Sequence, residues 1–274
     1  MNADANFDTA QYLERIHCSQ QPELSFEFLR ALHHAQLYTI PFENFDICLN
    51  RGIKLEPSFL FKKLVCRRRG GYCFELNGLL LRALRAFGFD ARAVLGRVHV
   101  TGVPTGRSHQ VSLVNLDGTQ WILDVGFGAA TPRAPIPLKF DAPFDCDGDI
   151  FRLVKNDDFG IMLQCQQAGE WGNLYSFDLA PVCPGDIEYG NYFTSTHPSS
   201  LFVNSRVAVL PTERGIATLF NLRLRTRAPG AADVEEQELE EGPAYIETLQ
   251  CVFGIDLDAR YDDLKPLPRN NEAG

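Results

Sequence analysis

At Gly88 the hydrophobic rhythm of this chain changes, and that change limits the folds open to it. Before Gly88, apolar residues recur every three or four positions, the period of a helix with one buried face. Beyond it, apolar and polar residues alternate, the period of a strand. Helices are predicted ahead of the switch. Asp8 opens a capping-box pattern before Tyr12, Leu13 and Ile16. Ser25 caps a second helix carrying Leu29, Leu32, Ala35 and Gln36, and Pro41 stops it. A third helix fits residues 57–65. A fourth starts near Cys73 and buries Leu76, Leu79, Leu80, Ala83, Leu84 and Phe87. Gly88 ends it, because glycine takes the left-handed conformation of a helix end without a Cβ clash.

Past the switch, residues 91–100, 111–115 and 119–125 read as strands, followed by 151–154, 161–164, 206–210 and 218–224. Asp117-Gly118 between apolar runs signals a hairpin. The middle of the chain therefore reads as an antiparallel barrel or sandwich. The acidic stretch 233–241 reads as a solvated turn or helix start. A short helix follows over 245–253, ending at Gly254, and 262–274 reads as a loose tail.

Charge and cysteine usage narrow the function. The 274 residues carry a net charge of -9, which offers no general field for a phosphate backbone, so nucleic acid is not an expected partner. No run approaches the roughly 20 apolar residues of a membrane span, and the acidic start does not read as a signal peptide. The 8 cysteines include no C-x-x-C pair, so neither a metal nor a redox couple is expected. The expectation is a cytoplasmic protein with reduced thiols.

One of those thiols stands apart. In Arg69-Gly70-Gly71-Tyr72-Cys73 two glycines permit a tight turn, and a long amphipathic helix starts at once. Cys73 thus falls at a helix N-terminus, where free N–H groups and the macrodipole favour a thiolate. Arg68 and Arg69 are placed to add to that field. The alternative for any cysteine is a small buried hydrophobe. The hairpin supplies possible partners. With Asp117 and Gly118 as its loop, Leu116 faces Thr119 and Val111 faces Asp124. His109 shares a face with Asp124, roughly 7 Å away as a diagonal neighbour. A carboxylate within Trp121-Ile122-Leu123-Asp124-Val125 is costly without a partner, whether that partner is catalytic or structural. Cys73, His109 and Asp124 would together make a nucleophile, base and orienter, in the chain order of papain-like enzymes. Gly126-Phe127-Gly128 would let backbone approach a ligand closely, or would simply end a strand in a bulge.

These residues resemble the arylamine N-acetyltransferase family. The resemblance rests on 68–75 (Arg-Arg-Gly-Gly-Tyr-Cys-Phe-Glu), on 40–44 (Ile-Pro-Phe-Glu-Asn), on 121–128, and on 194–198 (Thr-Ser-Thr-His-Pro). It implies an α+β fold with a cysteine-protease-like catalytic core: an N-terminal helical bundle over 1–88, a central antiparallel β-barrel over 89–190 and a C-terminal α/β lid over 191–274. It implies acetyl-CoA as co-substrate, no metal, and an arylamine, arylhydrazine or arylhydroxylamine as acceptor. Cys73, His109 and Asp124 match the family's triad. Thr105, Gly106 and Phe193 match positions near the cofactor, and Phe127 with Gly128 positions near the acceptor. It also implies an ion pair between Glu43 and Arg68 or Arg69. Ser108 and Asn191-Tyr192-Phe193 depart from the family's usual residues. An amide synthase using the same triad, a cysteine hydrolase and a non-enzymatic binding module are the competing readings.

Overall fold

The expected helix starts carry their caps in the computed structural model, which describes residues 7–146, 148–212, 215–228 and 233–267. Asp8 Oδ1 accepts the Gln11 N–H at 2.9 Å, and Ser25 Oγ accepts the Phe28 N–H at 3.2 Å. They open α1 (Thr9–Arg15) and α2 (Phe26–Thr39). A two-residue strand, β1 (Phe42–Glu43), precedes α3 (Phe45–Cys48) and α4 (Pro57–Phe61). The helix expected over 57–65 changes at Lys62 into a π-helical turn ending at Cys66, and Lys63 on that turn reaches both Asp46 and Glu75 at 2.8 Å. Then α5 (Cys73–Ala86) buries the predicted stripe from Leu76 to Leu84, Phe87 lies partly buried just past its end, and Gly88 follows with φ 93°. A fully buried leucine of that stripe contributes about 2 kcal/mol.

The period-two region forms β2 (Asp90–Val98), β3 (Arg107–Leu116), β4 (Thr119–Leu123), β5 (Ile136–Pro137), β6 (Phe144–Cys146), β7 (Asp149–Asn156), β8 (Gly160–Gln167) and β9 (Glu170–Phe177). They make one antiparallel eight-stranded sheet in the order β5-β4-β3-β2-β9-β8-β7-β6. Its edge strands β5 and β6 do not pair. A parallel bridge between Phe140 and Leu153 instead brings the chain beyond β5 onto β7, so the sheet curls into a half-barrel without a closing ladder.

The remaining elements are α6 (Pro184–Thr196), α7 (Leu201–Asn204), β10 (Val207–Thr212), β11 (Gly215–Phe220), β12 (Arg223–Arg227), β13 (Glu235–Glu238) and α8 (Pro243–Phe253). The strands read at 206–210 and 218–224 lie outside the central sheet, in a second, five-stranded one with the order β1-β10-β11-β12-β13. Three expectations are corrected here. The run 218–224 is two strands, because Asn221 takes φ 58° and turns the chain. The acidic stretch 233–241 contains a strand, since Glu236 and Glu238 stand opposite Arg225 and Arg223 across the ladder. The tail is anchored as far as it is described: Leu264 is buried and the Lys265 N–H donates to the Cys48 carbonyl at 2.8 Å, while 268–274 lie outside the described residues.

Each region has its own apolar core. One joins α2 to α5 through Phe28, Leu32, Leu80 and Leu84, and another fills the curled sheet around Val111, Ile122, Leu153 and Leu163. A third lies between the second sheet and α8, around Leu219, Tyr245, Leu249 and Phe253. Among the described residues no helix is long and apolar enough to cross a membrane.

Candidate active site

The glycines before α5 act as close-approach residues. A Cβ on Gly70 would lie 2.3 Å from the Pro41 carbonyl oxygen, and one on Gly71 2.8 Å from Glu75 Cβ. The chain can therefore turn sharply into the helix. Glu75 Oε2 accepts the Tyr72 N–H at 3.1 Å, and Lys63 steadies Glu75 from behind. Cys73 is the first residue of α5 and 4% exposed. Its Sγ lies 3.7 Å from the Ser108 carbonyl, immediately before His109. A Cβ on Gly126 would come within 2.9 Å of Cys73 Cα, so the strand end after Asp124 abuts the start of α5.

The hairpin register runs as the Asp-Gly turn dictates, from Leu116 opposite Thr119 to Ser112 opposite Leu123. Asp124 follows directly, and His109 Nε2 lies 2.7 Å from its Oδ2. The second carboxylate oxygen, Oδ1, accepts the Asn77 Nδ2–H at 3.0 Å and the Gly126 N–H at 2.9 Å. Asn77 Oδ1 in turn accepts the Val125 N–H at 3.0 Å. His33 Nε2 lies 2.8 Å from the Asp124 carbonyl. Burial works against the Asp124 charge, but His109, Asn77 and the Gly126 amide outweigh it and hold the carboxyl below its usual range. Above the site, the Tyr175 ring packs 4.9 Å from both His109 and Phe127, and Phe127 is also 4.9 Å from His109. Burial, then the Asp124 charge, pushes the Tyr175 phenol well up, so it stays protonated.

The thiol departs from expectation. Burial and then the Asp124 charge push Cys73 up, and the main-chain amides of Phe74 and Gln110 only partly counter them. The arginines do not help. Arg69 is committed to Glu43 at 2.6 Å and Asp46 at 3.2 Å. Arg68 is exposed, its carbonyl accepting from Arg15 at 3.3 Å.

The other sequence-derived residues lie on the turn before β3, on α6 and just past β4. Thr105 Oγ1 accepts the Val98 N–H at 2.9 Å and pairs with Ser108 Oγ at 2.8 Å, while the Gly106 carbonyl accepts the Ser108 N–H. That braced turn carries Ser108 to Cys73. α6 leans on it, since a Cβ on Gly190 would stand 2.7 Å from the Arg107 carbonyl and 2.7 Å from Phe74. One turn along α6, Phe193 is 47% exposed and stacks on His197 at 4.3 Å. Gly128 has φ 64°, and beyond it Ala129 and Ala130 enter the wall of a cleft of about 570 Å³ shared with Phe151, Ile216 and Arg227.

Several site residues escaped the sequence reading. Asn77 was recoverable, since it lies one helical turn after Cys73 on the same face. Tyr175 was not, because β9 begins Glu170-Trp171-Gly172-Asn173 and its pairing with β8 is interrupted between Leu163 and Gln164. Nothing in the sequence marked His33, which lies on α2. Among the described residues no group of three or more His, Cys, Asp or Glu side chains is arranged to hold a metal.

Known proteins share this arrangement of elements. Residues 25–261 match a family model described as an N-acetyltransferase. The arylamine N-acetyltransferase / N-hydroxyarylamine O-acetyltransferase of Salmonella typhimurium is 38% identical, over 90% of this chain and 88% of its own. The arylamine N-acetyltransferase of Escherichia coli is 37% identical over 90% of this chain and 88% of its own. The solved structure of Mycobacterium marinum arylamine N-acetyltransferase in complex with CoA is 32% identical and superposes with a TM-score of 0.87, covering 94% of this chain and 97% of that one.

Proposed function

This chain belongs to the arylamine N-acetyltransferase family, and from that membership we propose a two-step transfer of acetyl from acetyl-CoA to an arylamine, arylhydrazine or arylhydroxylamine through acetyl-Cys73. The protein is an enzyme of the acetyltransferase class. The observation that carries the mechanism is the 2.7 Å contact of His109 with a carboxylate, beside a cysteine at a helix start.

Cys73 passes its proton to His109 and attacks the thioester carbonyl, so that the thiolate exists only as the partner of an imidazolium. That order suits a thiol which its own surroundings keep protonated. The Phe74 and Gln110 amides, which face Sγ, take the developing oxyanion, a role worth about 3 kcal/mol per donor. His109 returns its proton to the leaving CoA thiol, then accepts one from the acceptor amine as the amine attacks acetyl-Cys73. Asp124 fixes the ring tautomer and supports its positive charge.

The donor site is assigned to Thr105, Gly106 and Phe193. The exposed Phe193 ring, on the helix whose Gly190 abuts the Arg107 carbonyl, suits a group that must reach a buried sulfur from solvent. The acceptor is assigned to Phe127 and Gly128, the Phe127 ring packing 4.9 Å from His109.

The test is CoA release from acetyl-CoA, with and without an arylhydrazine, in wild type and Cys73→Ala. Continuous CoA release that requires both the acceptor and Cys73 is expected, with no more than one CoA per Cys73 released when the acceptor is left out. A folded wild type with a reactive Cys73 and no release would overturn acetyl-CoA as donor and favour an amide synthase using another acyl carrier.

A further inference from the structure

A second imidazole touches Asp124. His33 lies on α2 and is 0% exposed. A carbonyl oxygen only accepts, so the 2.8 Å contact of His33 Nε2 with the Asp124 main chain puts the ring proton on Nε2. Nδ1 is then a buried lone pair with no hydrogen-bond partner among the described residues. An apolar residue of similar size would avoid that cost, so the use of the ring lies in its bond to the Asp124 carbonyl.

That bond falls on a residue whose two carboxylate oxygens are already held. Oδ2 meets His109, Oδ1 meets Asn77 and Gly126, and the next peptide N–H meets Asn77. Asn77 belongs to the helix of the candidate nucleophile, and His33 to a different helix, α2. Without His33 the buried Asp124 carbonyl would lose this partner, and the 124–125 peptide would be held by the Asn77 bond to the Val125 N–H alone. Turning it swings the carboxylate relative to His109.

We propose that His33 is a positioning residue for acyl transfer, its Nε2–H bond to the Asp124 carbonyl setting the angle at which that carboxylate meets His109. The proposal rests on the Cys73–His109–Asp124 reading. His34, the Asp124 charge and the Arg133 carbonyl are the polar groups around the ring, and burial outweighs them, holding it down to about 4 and therefore neutral, with the one N–H the bond requires.

The test compares His33→Gln, whose side-chain amide can donate to the same carbonyl, with His33→Leu, which fills the space and cannot. Two rates are read: acetylation of Cys73 by acetyl-CoA in a single turnover, and Cys73 alkylation by iodoacetamide from about pH 5 to 9. Alkylation needs no acyl donor. It therefore reports on the triad even where wild type fails to take acetyl, an outcome that would count against the donor assignment alone. His33→Leu is expected to slow acetylation about 30-fold and raise the alkylation midpoint by about one pH unit, the scale of a misplacement near 1 Å. His33→Gln is expected to restore both within about threefold. A wild-type profile in His33→Leu, or equal displacement in both variants, overturns the proposal. Should His33→Leu not fold, a displaced profile in folded His33→Gln overturns it, and a wild-type rate and profile there support it.

Discussion

Asp124 meets a demand that only a carboxylate satisfies. His109 donates to one of its oxygens, while Asn77 and Gly126 donate to the other. An asparagine has one oxygen, so one side must confront an NH2 with an N–H. Asp124→Asn is expected to lower kcat on the order of a thousandfold in a folded protein, because it either loses its supports or faces His109 with the wrong partner. Steady-state rates beside circular dichroism check this, and an unimpaired variant would reduce Asp124 to a packing role. At this scale the sequence was informative where chemistry is costly: a charge in an apolar strand and a cysteine after paired glycines both needed explaining. Spacing alone misled about Arg69, because adjacency to Cys73 does not say which way the side chain turns, whereas the family resemblance implied the pair with Glu43 that Arg69 makes.

At the scale of elements, one junction decides the site: the end of β4 against the start of α5. Gly126 makes it possible, lying where a Cβ would be 2.9 Å from Cys73 Cα and 2.9 Å from Asn77 Nδ2. Gly126→Ala is expected to push these elements apart, costing about 1–3 kcal/mol and slowing Cys73 acetylation about 10- to 100-fold. Thermal melts and mass spectrometry of the acetylated protein measure the two effects, and a wild-type acetylation rate would mean the junction tolerates a shift. The β3–β4 hairpin was legible to the residue because a two-residue turn and a period of two fix register completely. The junction was not, since no local pattern says which face of a helix a distant strand end will meet. β13 was also hidden, because its glutamates make a strand only opposite the arginines of β12.

Over the whole molecule, buried histidines make the fold sensitive to acid. Burial lowers His33 from 6.5 to about 4, and burial with Arg97 lowers His99 in the same direction. The unfolded chain binds these protons first as pH falls below 6.5, so stability is full above that pH and declines toward pH 4, by about 3 kcal/mol for His33. Asp124, held below its usual range, adds a further loss at lower pH still. Melting temperatures from about pH 7.5 to 4.5 should fall in wild type and fall less in His33→Gln. Equal slopes would mean His33 is not buried neutral. The switch from helical to strand period told the order of the regions, but not that the strands divide into two sheets. That division depends on pairing between β1 and β10, which are distant in the chain.

β1 has a consequence in time. Phe42 pairs with Val209 on one side and bridges Gly71 on the other, so the turn leading into Cys73 is fastened to a strand near the far end of the chain. A chain emerging from the ribosome presents Cys73 long before residue 209 exists, at about 5–20 residues per second. During that interval the Glu43–Gly71 edge has no sheet to join, and the loop before the thiol is held only by its neighbours in the first third of the chain. The order of synthesis therefore completes the setting of the proposed nucleophile late, once residue 209 has been made.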